Sequence, residues 1–139
     1  MKRSVATLEA PAAIGPYSQG VRVGRWLFLS GQIPLDPSSG ELVAGGIEAQ
    51  AGRVLQNLRC VLTAGRCQPA DVVRTTIYLV DLKDFGAVNE VYGRFFDAPY
   101  PARATVQVAA LPRGALVEID AIALVPRPEA SRKPRPKRR

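Results

Sequence analysis

From Ile47 onward the apolar positions fall three and four residues apart: Ile47, Ala51, Val54, Leu55, Leu58, Val61 and Leu62. That spacing places them on one face of an amphipathic helix, predicted over Ile47–Ala64 and stopped by Gly65. A second stripe, Phe85, Val88, Tyr92, Phe95 and Phe96, predicts another helix ending near Pro99. Elsewhere the period shortens. Tyr17–Val23 and Trp26–Gln32 are rich in β-formers and are separated by Gly24-Arg25, which reads as a hairpin with glycine at its turn. Asp36-Pro37-Ser38-Ser39-Gly40 is a dense turn cluster. Val72–Val80, Arg103–Ala110 and Leu116–Val125 predict three further strands, the last two joined by Leu111-Pro112-Arg113-Gly114-Ala115.

The order strand, strand, helix, strand, helix, strand, strand predicts an α+β fold. One sheet with both helices on one face would bury both helical stripes. The strand over Leu116–Val125 then raises a difficulty. Val117, Ile119, Ala121 and Ala123 fall on one side, yet Leu116, Ile122 and Leu124 fall on the other. Apolar residues on both sides imply two covered faces. No chain segment remains to cover the second, so a partner subunit is the economical answer.

Charge changes the picture only at one end. The net charge is +7, but Arg127, Arg132, Lys133, Arg135, Lys137, Arg138 and Arg139 face a single acid, Glu129. The tail from 127 therefore carries +6 and residues 1–126 only +1. We divide the chain into a folded domain over 1–126 and a basic, Pro/Arg/Lys-rich tail over 127–139 that lacks the apolar residues needed to order itself. The tail reads as a solubilising segment, or as a weak contact to nucleic acid or another acidic surface through phosphate neutralisation. No apolar run is long enough to span a membrane, and the first residues lack the apolar core of a signal peptide, so the expected location is cytoplasmic. Cys60 and Cys67 are not spaced as a metal knuckle and read as small buried apolar residues. The chain has no histidine. His-ligated zinc, Ser-His-Asp triads and imidazole bases are thereby excluded.

Five segments carry a family resemblance. They are Ala13-Ile14-Gly15-Pro16-Tyr17-Ser18-Gln19-Gly20, Leu29-Ser30-Gly31-Gln32-Ile33-Pro34, Val88-Asn89-Glu90-Val91-Tyr92, Pro101-Ala102-Arg103-Ala104-Thr105 and Val117-Glu118-Ile119-Asp120-Ala121-Ile122-Ala123. In this order, across about residues 8–126, they resemble the reactive intermediate deaminase family, RidA/YjgF. The resemblance implies a chorismate-mutase-like α+β fold with a single mixed sheet, a homotrimer, and sites in the clefts between subunits. It implies hydrolysis of reactive enamines and imines, such as 2-iminopropanoate and 2-iminobutanoate, to 2-keto acid and ammonia. It implies no metal and no cofactor.

The same resemblance assigns roles. Arg103 would bind the substrate carboxylate, for which a planar guanidinium fork is suited. Glu118, mid-strand among apolar neighbours, would order the attacking water; such a carboxylate is otherwise a paired structural ion. Tyr17 would serve as pocket wall and hydroxyl donor, and Asn89 would reach the cleft from its helix. Read structurally instead, Tyr17 is a core aromatic and Asn89 a solvated helix residue. Ser30 and Gly31 resemble a turn whose hydroxyl and N–H groups face the ligand. Thr105, a further substrate-binding position whose ligand contacts the resemblance assigns to the backbone, stands where many family members have cysteine, so covalent thiol chemistry is closed at that point. Two other functions fit the same scaffold: a non-enzymatic small-molecule binding or regulatory protein, and an RNA-directed endoribonuclease or translation inhibitor. The latter is supported locally only by the basic tail. If the last two strands form an antiparallel hairpin centred near Arg113, Glu118 faces Val108 and Arg103 lies roughly 17 Å away. A site shared between subunits joins them more easily.

Overall fold

The computed structural model describes residues 1–128; the expected tail lies outside the described residues from 129 onward. Six strands form one mixed sheet in the order β1-β2-β3-β6-β4-β5. They are β1 (Lys2–Val5), β2 (Gly20–Val23), β3 (Trp26–Gln32), β4 (Val72–Leu79), β5 (Ala102–Gln107) and β6 (Val117–Leu124). Helix α1 (Ile47–Ala64) joins β3 to β4, and α2 (Phe85–Phe95) joins β4 to β5. The hairpin forms as the pattern predicts: Val23 pairs with Trp26, and Gly24 takes the left-handed φ of +59° that the turn demands. Strand β1, with only Val5 apolar on a basic segment, is absent from the sequence reading. Pairing with β2 makes it a strand, since it has little inward pattern of its own.

One expectation fails. β5 and β6 are not a hairpin. β5 runs parallel to β4, with Thr75 opposite Arg103 and Tyr78 opposite Val106. β6 inserts between β3 and β4, antiparallel to both. α2 makes the crossover that a parallel β4–β5 pair requires, which removes β5 from pairing with its chain successor. The strand itself ends at Gln107, before the predicted Ala110.

Both helices lie on one face, over a core of Leu27, Leu29, Ile77, Leu79, Val117 and Ile119. α1 contributes Val54, Leu55, Leu58, Val61 and Leu62, and α2 contributes Val88 and Tyr92. Gly65 ends α1 as predicted, but not through a left-handed backbone: its φ is −87°, and the left-handed residue is Arg66 at 64°. Glycine is required at 65 because a Cβ there would run into Leu27. Cys67 is buried, and burial pushes its thiol up to about 11. It is an unreactive apolar filler, as expected.

The opposite sheet face is open. Register places Val21, Val23, Trp26, Phe28, Ile122 and Leu124 on it, and Trp26 and Phe28 are 46% and 43% exposed. This is the second apolar face that the β6 pattern predicts. A contiguous apolar patch of this kind marks an interaction surface.

Candidate active site

Arg103 stands on β5 on the helix side. Its register partner Thr75 is fully buried, and Thr75 in turn pairs with Ala121 of β6. The Arg103 guanidinium carbon lies 4.9 Å from the Tyr92 ring centre and 5.6 Å from that of Phe85. The Tyr92 hydroxyl is 2.7 Å from Oγ1 of Thr75. Asn89, Tyr92 and Gly93 of α2, with Tyr100 and Pro101, complete a cleft of about 410 Å³ around Arg103. Among the described residues no carboxylate pairs with this half-buried guanidinium. Thr105, two residues along the same strand face, keeps a buried Oγ1 with no hydrogen-bond partner among the described residues. Arg103, Asn89 and Thr105 are thus on one side of the sheet. Tyr92, Phe85 and Thr75 join them without having been singled out in the sequence, where Tyr92 and Phe85 read only as core stripe.

Glu118 is three positions from Ala121, so strand alternation turns it to the open face. Two strand spacings across and three residues along put it about 14 Å from Arg103, on the other side of the sheet. Burial, and then the neighbouring Asp120 charge, push the Glu118 carboxyl above its ordinary value of 4.5. Asp120 shares this face and accepts a hydrogen bond from the Tyr78 hydroxyl at 3.0 Å. Facing Glu118 is a bulge in β3. Leu29 pairs with Ala121 and Gln32 with Ile119, so Ser30 and Gly31 together oppose Asp120. Ser30 and Gly31 are therefore bulged strand, not a turn. Nor is the Ser30 hydroxyl free to donate to a ligand: it donates to the Ser18 carbonyl at 2.5 Å, while the Ser30 N–H donates to Gln19 O.

That contact brings the loop carrying Tyr17 beside the bulge. Tyr17 is not a core aromatic; it is 52% exposed and lines an apolar recess with Leu8, Ala12 and Ala13. Its hydroxyl accepts from the Ile14 N–H at 3.2 Å, which leaves its own hydrogen available to donate. Buried Gln19 fixes the loop by donating to the carbonyls of Thr7, Ala10 and Pro11 and accepting from the Thr7 N–H. The residues singled out in the sequence thus fall into two groups: Arg103, Asn89 and Thr105 on the helix side of the sheet, and Glu118 on the open face beside the Ser30-Gly31 bulge, which the Tyr17 loop touches through Ser18 and Gln19.

The family model described as endoribonuclease L-PSP matches residues 7–125 of the chain. The chain belongs to that family, YjgF/RidA. Within it, the chain is 58% identical to protein DfrA of Myxococcus xanthus over 88% of its own length and 95% of that protein's. It is 53% identical to the 2-iminobutanoate/2-iminopropanoate deaminase of Mus musculus, over 89% of this chain and 92% of that one. The structure of E. coli TdcF with bound serine superposes with a TM-score of 0.84 at 44% identity, covering 88% of this chain and 98% of that one. The single sheet with two helices is therefore the RidA fold.

In this RidA-family chain, Gly31 is required by proximity. A Cβ built on it would sit 2.7 Å from Oε2 and 2.8 Å from Cδ of Glu118. Gly31→Ala should displace the carboxylate by about an ångström and lower imine turnover by about 10²-fold, with oligomer size and circular dichroism unchanged. Steady-state kinetics beside size-exclusion chromatography check this; wild-type turnover in the folded variant contradicts it.

Proposed function

We propose that the chain is a hydrolytic deaminase of 2-imino acids, of the 2-iminobutanoate/2-iminopropanoate class, working as a homotrimer. The observation that carries this is the Arg103 guanidinium, half-buried against two rings and without a carboxylate partner among the described residues. A cation so placed suits an anionic ligand. The activity named for the mouse relative, at 53% identity over most of both chains, supports the same reading.

The open apolar face would be covered by neighbouring subunits, bringing Glu118 of one to Arg103 of the next. Arg103 then holds the substrate carboxylate and thereby fixes the adjacent iminium carbon. Asn89 offers a further polar contact in that cleft. Glu118, from the neighbouring subunit, orients a water and takes its proton as the oxygen attacks the carbon. The C=N π electrons move to nitrogen, giving a carbinolamine. Glu118 returns the proton to nitrogen; as the C–N bond breaks with its electron pair going to nitrogen, Glu118 takes the hydroxyl proton, C=O forms, and 2-keto acid and ammonia leave. No group outside the chain, substrate and water enters this balance. Imines hydrolyse readily in water, so placing the carbon and the water is the main task.

The test is a coupled assay. A dehydratase generates the imino acid, and semicarbazide-trappable imine and released ammonia are followed with and without the protein. The reading predicts faster imine loss with matching ammonia; imine loss at the uncatalysed rate overturns it. The family description names an endoribonuclease, but with no histidine the chain has no imidazole with which to activate a ribose 2′-hydroxyl.

A further inference from the structure

Three elements meet at Arg103. Arg103 on β5 and Thr75 on β4 are register neighbours, so their side chains leave the same sheet face. Tyr92 of α2 contacts both: its ring lies under the guanidinium at 4.9 Å, and its hydroxyl meets Thr75 Oγ1 at 2.7 Å. Thr75 is 0% exposed and Tyr92 4%, so both side chains are largely shielded from bulk water. Phe96 packs on Tyr92 at 4.6 Å between ring centres, and Phe95 on Phe96 at 4.8 Å. The Tyr92 ring is therefore held from its hydroxyl end and by a neighbouring ring.

We propose that Tyr92, pinned through its hydroxyl by Thr75, is a positioning residue that sets the pose of the Arg103 guanidinium for carboxylate binding. This rests on the assignment of Arg103 as the carboxylate-binding group. An arginine side chain has many rotamers, and freezing one on ligand binding weakens the complex. A ring face under the guanidinium favours the cation through its quadrupole and restricts that freedom beforehand. The hydroxyl bond to Thr75 fixes where the ring lies, and Thr75 is itself fixed beside Arg103 by the β4–β5 register. The same strand pair that carries Arg103 thus also holds the ring that orients it.

The probe is 2-oxobutanoate, a stable 2-keto acid carrying the same carboxylate as the imine. Its binding to the full chain is measured by titration calorimetry, alongside KM and kcat in the coupled assay. Tyr92→Phe keeps the ring and loses the bond. Thr75→Val does the same from the other side. Each should weaken 2-oxobutanoate binding about three- to tenfold, and the double variant should be no worse than either single one. Thr75→Ser, which keeps the hydroxyl, should restore wild-type binding. Tyr92→Leu, which removes the ring, should weaken binding about tenfold or more. In Tyr92→Phe, Thr75→Val and Tyr92→Leu KM should rise while kcat stays near wild type; in Thr75→Ser both should match wild type. A merely structural bond would lower Tm and leave 2-oxobutanoate affinity unchanged, and that result in Tyr92→Phe overturns the proposal. Tyr92→Phe carries the decision if Tyr92→Leu fails to fold. Arg103→Ala separates the two layers of the argument. If it has lost 2-oxobutanoate while the Tyr92 variants bind normally, only the positioning role falls. If Arg103→Ala itself binds normally, the carboxylate assignment falls, and the positioning role with it.

Discussion

Arg103→Ala should lower kcat/KM for a 2-imino acid by roughly two to four orders of magnitude, leaving the fold and oligomer intact. The magnitude follows from two hydrogen bonds to a charged group, each worth about 1.5–3 kcal/mol, in a site with no second cation among its lining residues. Stability should change little, because among the described residues no carboxylate loses a partner. Only the stacking on Tyr92 and Phe85 is removed. Arg103→Lys keeps the charge and loses the fork, so it should recover only a minor part of the loss. Turnover measured over a series of imino acids checks this. A folded Arg103→Ala with wild-type kcat/KM would remove Arg103 from the site.

Glu118→Gln should abolish turnover, and it should do so without weakening the protein. The Glu118 carboxyl is pushed above its ordinary value by burial and by Asp120, so its ionisation disfavours the folded state. The unfolded chain releases that proton at lower pH than the folded one. Wild-type stability therefore declines as pH rises from the ordinary value toward the raised one, and stays lower above it. Glutamine removes that contribution. The variant should show a Tm at pH 7 no lower than wild type, and a flatter stability profile across the acid range. The same shift governs catalysis, since only the ionised carboxylate accepts a proton from water. Wild-type kcat/KM should fall as the medium is acidified through the raised Glu118 value and level off above it. Calorimetric scans and a pH–rate profile read the two effects. A clear loss of Tm at pH 7 in Glu118→Gln would instead make Glu118 a structural ion.

Both helices were legible because their stripes decide burial locally: the Ile47–Ala64 boundaries match the structure at each end. The open sheet face was legible too, because β6 alternates while remaining apolar on both sides. Sheet order was not. Nothing in Arg103–Ala110 or Leu116–Val125 says that β6 will pass over its predecessor and insert between β3 and β4. That choice is made by α2, whose apolar face requires a crossover and therefore a parallel β4–β5 pair. The error reached the site. A hairpin gave roughly 17 Å between Arg103 and Glu118, whereas the observed order gives a similar distance but opposite faces. The supporting residues were hidden for a different reason. Tyr92 and Thr75 have ordinary core roles in the pattern, and only their common register with Arg103 distinguishes them. Gly31 could be read from sequence as a turn glycine, because its demand for space depends on Glu118, far away in the chain.

The opposed faces make the central claim testable in a single mixing experiment. Opposite sheet faces separate the Arg103 and Glu118 of one chain, so under the proposed function each site would draw on two subunits. Inactive Arg103→Ala and Glu118→Ala proteins are dissociated, mixed in equal amounts and reassembled, with mixed oligomers verified by native mass spectrometry. In a cyclic trimer with three shared sites, every mixed assembly holds one site in which both intact residues meet. Random mixing should then restore roughly a quarter of wild-type imine turnover. Verified mixed trimers with no recovered activity would place both residues in one subunit's site and contradict the account.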